Sequence, residues 1–216
     1  MMRILLAVHH GLVRAGVERL LADERDVKIA GEALRVEQML AAVRRGGVDV
    51  VLMDVNLPGM DCIEATRRLC RIDDQIRLVV LGVHANGPYP VQLLRTGAAG
   101  YVSRSTGRQE LVACLRKVTR GERYASADVA QRMLLSQLGG DETAIGTLTP
   151  RELSVLVMLS QGHGRREISS KLCVSPKTVS TYRTRLMRKL GATSDVQLTH
   201  LSLHHGLISA GDGLGL

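Results

Sequence analysis

The first 120 residues alternate short apolar runs with stretches of helical periodicity. The apolar runs lie at residues 4–8, 27–30, 50–53, 78–81 and 101–102. The helix-patterned stretches between and after them lie near residues 12–22, 36–45, 63–70, 91–96 and 109–120. Five consecutive strand–helix units predict an α/β fold with a doubly wound parallel sheet.

Composition limits the class of protein. The chain has 216 residues, of which 45% are hydrophobic and 23% charged, as expected for one large or two small globular domains. Its apolar stretches are far shorter than the ~20 residues of a membrane helix, and its start lacks a signal-peptide pattern, so we expect a cytoplasmic protein. The four cysteines have no metal-binding spacing, and we expect them to be reduced.

The C-terminal part predicts a second, all-α domain of four helices. Thr149 and Glu152 form a capping box around Pro150. A second helix follows at residues 166–172, Ser175 begins a third, and residues 194–197 form another capping box before a fourth helix that ends at Gly206. We therefore predict four segments: an α/β domain at 1–121, a linker at 122–147, a helical domain at 148–210 and a disordered tail at 211–216. Within the linker we expect a helix near residues 126–138.

The third of these helices is strongly basic. The chain has a net charge of +8, and residues 176–190 contain five cationic side chains and no acid: Lys177, Arg183, Arg185, Arg188 and Lys189. Apolar residues spaced from Val179 to Leu190 give this helix one core-facing side. A short helix, a tight turn and a longer basic helix are the parts of a helix-turn-helix, so this segment predicts binding to double-stranded DNA.

Residues 148–207, from Leu-Thr-Pro-Arg-Glu through Val-Ser-Pro-Lys-Thr-Val-Ser-Thr-Tyr-Arg, resemble the DNA-binding domain of LuxR/NarL/FixJ-type regulators. The resemblance implies a transcription regulator in which the last helix, 194–205, pairs two copies on a two-fold DNA site. It implies base contacts from one set of side chains and phosphate contacts from another: Ser180, Thr181 and Thr184 for bases, and Lys177, Arg185 and Lys189 for phosphates.

Asp54 ends the third apolar run, where open α/β sheets carry their ligands. The first strand ends in His9 and His10, so Asp54 is the one carboxylate that we expect at this edge from these two strands. A hard cation such as Mg²⁺ is held by carboxylates, phosphate oxygens and water. We therefore expect magnesium binding here to be weak or lost.

Residues 2–121 resemble a response-regulator receiver domain, and nearly the whole chain resembles the GacA/UvrY branch of that family. The matching segments include Leu-Met-Asp-Val-Asn-Leu-Pro-Gly-Met at residues 52–60 and Gly-Ala-Ala-Gly-Tyr at residues 97–101. The resemblance implies that Asp54 accepts a phosphoryl group, that two acids hold Mg²⁺, that a Ser or Thr binds the phosphoryl oxygens, and that a lysine forms a salt link.

This chain departs from the receiver pattern at most of those positions. The acidic pair falls on Val8 and His9, the hydroxyl position on Gly82, and the lysine position on Arg104. Asp54 remains, as do Pro58 and the aromatic residue Tyr101. Without the metal acids and the hydroxyl, phosphoryl transfer loses most of its positioning and charge neutralisation. The sequence therefore predicts an atypical receiver in which Asp54 is a poor or absent phosphoacceptor.

Several alternatives stay open at this point. A sensor histidine kinase could still phosphorylate Asp54 with weak metal assistance, or the receiver could act as a protein-interaction module. His9, His10 and His84 could bind Zn²⁺ together with Asp54, or His9 could form an ion pair with Asp54. No Ser/His/Asp or Cys/His arrangement is legible in the sequence, so we do not expect an enzyme.

Overall fold

The computed structural model describes residues 1–82, 89–138, 144–205 and 207–208. The chain divides into two compact units, one built mainly from the first 134 residues and the other from residues that follow them. Three predicted features lie outside the described residues: the break at 139–142, the end of the last helix at Gly206, and the tail at 211–216.

The first unit is a six-stranded sheet in which all neighbouring strands are parallel, in the order β2-β1-β3-β4-β5-β6. Its strands are β1 (Met2–Ala7), β2 (Val27–Ala33), β3 (Val50–Asp54), β4 (Arg77–Gly82), β5 (Gly100–Ser103) and β6 (Tyr124–Ala125). The helices are α1 (Gly11–Leu21), α2 (Val36–Arg45), α3 (Cys62–Ile72), α4 (Tyr89–Thr96), α5 (Arg108–Thr119) and α6 (Ala127–Leu138). The predicted doubly wound α/β fold is confirmed.

Strand order and burial together fix where a ligand site can form. Every residue of β3 is buried, as expected of a central parallel strand with helices on both faces. The strand order reverses between β1 and β3, so the crevice expected in such sheets opens at the carboxyl ends of these two strands. Asp54 is the last residue of β3, and His9 and His10 follow β1.

Strand β6 is the element that the sequence pattern did not predict. Tyr124 and Ala125 fall within the predicted linker, yet they pair with Gly100 and Tyr101 of β5. Backbone bonds at both ends hold this strand, from Tyr124 N to Ala99 O at 2.9 Å and from Ser126 N to Tyr101 O at 3.0 Å. Two residues are too few to show the alternation by which a strand is recognised in a sequence.

The second unit contains α7 (Pro150–Ser160), α8 (Arg165–Leu172), α9 (Pro176–Leu190) and α10 (Asp195–His204). The capping box of Thr149 and Glu152 is present, as predicted. Ser194 also caps its helix, through the Gln197 N–H, but Gln197 Oε1 accepts from Thr193 N at 2.7 Å. The predicted capping box requires Ser194 N as the donor to Gln197, but the donor is Thr193 N, one residue earlier.

Across the described part of the chain, the helices are too short or too polar to cross a membrane.

Candidate functional site

Asp54 is a fully buried carboxylate at the carboxyl edge of the sheet. Its side chain has no exposed surface, and the turn that follows β3 folds back onto it. Asn56 N donates to Asp54 Oδ1 at 3.1 Å, and Leu57 N donates to the main-chain oxygen of Asp54 at 3.1 Å. A buried carboxylate requires a compensating charge as well as hydrogen bonds.

Arg104 supplies that charge. It directly follows β5, and its backbone N–H donates to Gly82 O at 2.9 Å, which fixes the start of the loop against β4. Its Nη2 atom donates to both carboxylate oxygens of Asp54, at 3.0 Å to Oδ1 and 2.7 Å to Oδ2. The side chain of Arg104 is 28% exposed and that of Asp54 is 0% exposed, so water screens this ion pair little.

Two imidazoles lie beside the same carboxylate. His10 Nδ1 is 3.8 Å from Asp54 Oδ2, and the ring centroids of His9 and His10 are 3.7 Å apart. His10 therefore lies within ion-pair distance of Asp54, and the ion pair hypothesised for His9 stays a prediction. His84, the third histidine predicted for this edge, lies outside the described residues.

Tyr101 lies in the space that a side chain at position 82 would need. Its ring is buried, with 2% of its surface exposed. A Cβ placed on Gly82 would lie 2.8 Å from Tyr101 Cε1, and closer still to Cζ and Oη. Burial raises the pKa of Tyr101 above its ordinary value of 10.0, and nearby negative charges, including Asp128, raise it further. The absence of a side chain at Gly82 is therefore what permits this position of the ring.

The donor set at this edge does not suit Mg²⁺. Among the described residues, the group of possible metal ligands here is His9, His10 and Asp54, in which Asp54 is the one carboxylate. Both oxygens of Asp54 already accept from Arg104. Mg²⁺ requires near-octahedral oxygen ligands and rarely takes imidazole. Val8, at the position of an expected acid, is buried and apolar.

The second candidate site is the surface of α9. The turn before it, residues 173–175, bends sharply because Cys173 adopts a left-handed conformation with φ of 53°. Ser175 caps α9 by accepting from Thr178 N at 3.1 Å. Val179 and Leu186 are fully buried and fix the rotation of the helix about its axis. The opposite side is therefore presented outward.

That outward side carries the residues expected to contact DNA. Lys177, Thr181, Thr184 and Arg185 are exposed, and Ser180 is partly buried. Each of the three hydroxyls donates to the main-chain oxygen four residues earlier, at 3.1 to 3.2 Å. With their hydrogens engaged in this way, these oxygens remain available as acceptors. In a major groove the matching donors are the amino groups of adenine and cytosine.

Two cationic side chains differ from the predicted set of DNA contacts. Lys189, expected to contact phosphate, donates to Glu152 Oε2 at 2.7 Å and joins α9 to the N-terminus of α7. Arg165, at the start of α8, was not among the expected contacts, yet it is exposed and donates to Ser180 Oγ at 3.3 Å. The sequence shows only that Arg165 is a cation. It does not show that Arg165 lies beside Ser180 of α9, because the two residues are 15 positions apart.

Comparison with protein families agrees with this two-part architecture. Residues 4–116 match the response regulator receiver domain, and residues 146–202 match the bacterial regulatory proteins of the luxR family. The response regulator UvrY of Escherichia coli K12 is 42% identical over 212 residues, which cover 97% of each chain. The response regulator GacA of Pseudomonas aeruginosa is 41% identical, covering 97% of this chain and 99% of GacA.

Among solved structures, RcsB from Salmonella enterica bound to the promoter rprA superposes with a TM-score of 0.78. It is 23% identical, and the match covers 92% of this chain and 96% of that one, so it supports the fold alone. A LuxR-family response regulator from Aurantimonas is 31% identical with a TM-score of 0.60, over 63% of this chain and 97% of that one.

Proposed function

This chain belongs to the LuxR family of response regulators, and we propose that it controls transcription as a DNA-bound dimer whose receiver works without Mg²⁺-dependent phosphorylation of Asp54. DNA binding is the property of the family. Independence from phosphorylation is inferred from this chain's own residues, and the observation that carries it is that Asp54 is the one carboxylate among the possible metal ligands described in this pocket.

The DNA-binding half of the proposal is supported by the outward side of α9. Lys177, Arg185 and Arg188 are exposed cations that can reach phosphates, while Thr181 and Thr184 lie mid-helix, where side chains meet base edges. Solved RcsB structures include complexes with DNA, one of them described as two dimers on two parallel DNAs. We extend dimeric binding to this chain, with α10 as the pairing helix.

Two features oppose phosphoryl transfer at Asp54. A carboxylate nucleophile needs an accessible lone pair, and the transferred group needs cations and donors around its three outer oxygens. Arg104 takes up lone pairs on both oxygens of Asp54, and the donor set does not suit Mg²⁺. Gly82 provides no hydroxyl, and the ring of Tyr101 lies where such a hydroxyl would be.

The receiver half is tested by incubating the full chain with acetyl phosphate and Mg²⁺, followed by phosphate-affinity electrophoresis. We expect no shifted band from the parent chain or from Asp54→Asn. A restored variant with Val8→Asp, His9→Asp, Gly82→Thr and Arg104→Lys should give a band, because it returns the groups that the family uses.

A shifted band from the parent chain would contradict the proposal for the receiver. Stoichiometric modification of the parent chain that is lost in Asp54→Asn would show a conventionally phosphorylated response regulator, with a sensor histidine kinase as its partner. Retention of the band in Asp54→Asn would place the modification elsewhere. Circular dichroism of each variant separates lost modification from lost folding.

The DNA half is tested with duplexes selected from a random library by the full chain. If a dimer neutralises about six to ten phosphates, its affinity should fall roughly 10³–10⁵-fold between 50 and 200 mM salt. Binding that does not change with salt would contradict the role of the α9 cations. Failure to select any duplex, together with a stable complex with another protein, would favour a protein-interaction module.

A further inference from the structure

The pocket that has lost its magnesium acids holds a different set of metal donors. One nitrogen of His9, one of His10 and one oxygen of Asp54 lie within 4.8 Å of one another. His10 is exposed and its Nδ1 is 3.8 Å from Asp54 Oδ2, whereas His9 is partly buried beside it. His10 therefore meets the carboxylate on its Oδ2 side, and a nitrogen of His9 lies within 4.8 Å of the same group of donors.

Two imidazoles and one carboxylate suit borderline divalent ions such as Zn²⁺, Co²⁺ and Ni²⁺ much better than Mg²⁺. In a tetrahedral zinc site the metal lies about 2.0–2.2 Å from each ligand, which places ligand atoms roughly 3.3–3.5 Å apart. The spacing in this pocket exceeds that by about 1.5 Å at most, a difference that side-chain rotations of His9 and His10 can close.

We propose that His9, His10 and Asp54 Oδ2 form a binding site for a divalent transition-metal ion of the Zn²⁺ class, with water completing the coordination. The proposal rests on the proposed function, because it assigns a regulatory ligand to a receiver pocket that Mg²⁺ and phosphate do not use.

The metal competes with Arg104. Asp54 Oδ1 accepts from both Asn56 N and Arg104, whereas Oδ2 accepts the shorter Arg104 bond, at 2.7 Å, and faces His10. A divalent ion on Oδ2 weakens that shorter bond and repels the guanidinium. Because the backbone of Arg104 stays bonded to Gly82 O, the change is confined to the side chain and the loop that follows it.

The test is calorimetric titration of the metal-stripped full chain with Zn²⁺, together with the visible absorption of the Co²⁺ complex. We expect one ion bound in a tetrahedral environment. His9→Gln with His10→Gln should weaken binding by at least about 100-fold, since loss of even an outer-shell partner costs 10–100-fold. Arg104→Met should tighten binding by about 10-fold by removing the competing cation.

The matched control replaces two other exposed histidines, His200 and His204, which lie four residues apart on α10. His200→Gln with His204→Gln should leave the affinity unchanged. Loss of binding in this control, or retention in the His9 and His10 variant, would overturn the proposal and indicate a surface site. A cobalt–thiolate charge-transfer band would also overturn it, by assigning the metal to cysteine.

The two proposals fail separately. Phosphorylation of Asp54 by acetyl phosphate and Mg²⁺ refutes the proposed function whatever zinc does. An unphosphorylated chain that binds no Zn²⁺ refutes only the metal site.

Discussion

Gly82→Ala is the substitution that tests the architecture of the receiver pocket most directly. The added Cβ would lie 2.8 Å from Tyr101 Cε1 and nearer to Cζ and Oη, which is well inside van der Waals contact. A methyl group and the ring cannot occupy the same volume. Either the ring turns out of the pocket or the ends of β4 and β5 separate.

The cost of each route can be worked from the burial of the ring. A buried tyrosine withholds about 150–250 Å² from water, and each Å² is worth about 25 cal/mol, so complete exposure of Tyr101 would cost about 4–6 kcal/mol. Turning it half out costs about 2–3 kcal/mol, and overpacking with a backbone shift costs about 1–3 kcal/mol. We expect Gly82→Ala to lower the free energy of unfolding by about 2–3 kcal/mol, or the Tm of the receiver by roughly 8–12 °C.

Two measurements check this prediction. Denaturation gives the loss of stability, for which Gly107→Ala is the control, because a Cβ there meets no atom within 4 Å and φ is −76°. Spectrophotometric titration reports the ring itself, since the chain has four tyrosines and no tryptophan. Burial raises the pKa of Tyr101, so its ring should ionise at higher pH in the parent chain than in Gly82→Ala.

A double variant distinguishes a clash from a general weakness of β4. Tyr101→Leu removes the ring, so adding Gly82→Ala to it should cost at least about 1 kcal/mol less than adding it to the parent chain. If the costs are equal, or if Gly82→Ala is as stable as Gly107→Ala, the ring does not lie over Gly82 and the reasoning is wrong.

Four other substitutions have defined outcomes. Lys177→Ala should weaken binding to all duplexes about equally and lower the salt slope by about one, as a salt series will show. Thr181→Ala or Thr184→Ala should change the preferred sequence instead, by about 1–3 kcal/mol at one base pair, as measured by repeated selection. Burial of Glu152 alone would raise its pKa, but the bonds from Lys189 and the helix cap outweigh this and hold the pKa below 4.5. The resulting stability is present above pH 4.5 and lost as the pH falls, so Glu152→Gln should be less stable at pH 7 and lose less stability on acidification, as thermal denaturation at several pH values will show.

Local patterns predicted the elements of this fold apart from β6, but they did not predict the partners of its charged side chains. The apolar run that ends in Asp54 identified β3 because a central parallel strand is buried on both faces. The bond from Arg104 to Asp54 joins residues 50 positions apart, and that from Lys189 to Glu152 joins residues 37 apart. Helical or strand periodicity does not reach so far, so the sequence showed a cation at each position without showing what it neutralises.

The same limit applies to Tyr101 and Gly82. The resemblance to receiver domains marked Gly82 as the hydroxyl position and Tyr101 as the aromatic position. It did not predict that the ring would lie over the glycine. That position depends on side-chain packing between β4 and β5, which is set by volumes and not by spacing.

The arrangement of Asp54, Arg104 and Tyr101 limits how this receiver can be switched. A ligand or modification shifts a two-state equilibrium only by the difference in its interaction energy with the two states, and reversal from 1:99 to 99:1 takes about 5.5 kcal/mol. Before any phosphoryl group is added, Arg104 already contacts Asp54 and the ring of Tyr101 already lies over Gly82. Position 82 also has no hydroxyl that a phosphoryl group on Asp54 could attract. On the proposed function, we therefore expect the phosphoryl group to contact both states almost equally. A ligand that competes with Arg104 for Asp54 does distinguish the states, because it binds better where the guanidinium has moved away. If the proposed function holds, we therefore expect competition for Asp54 to control this regulator more strongly than phosphorylation of Asp54.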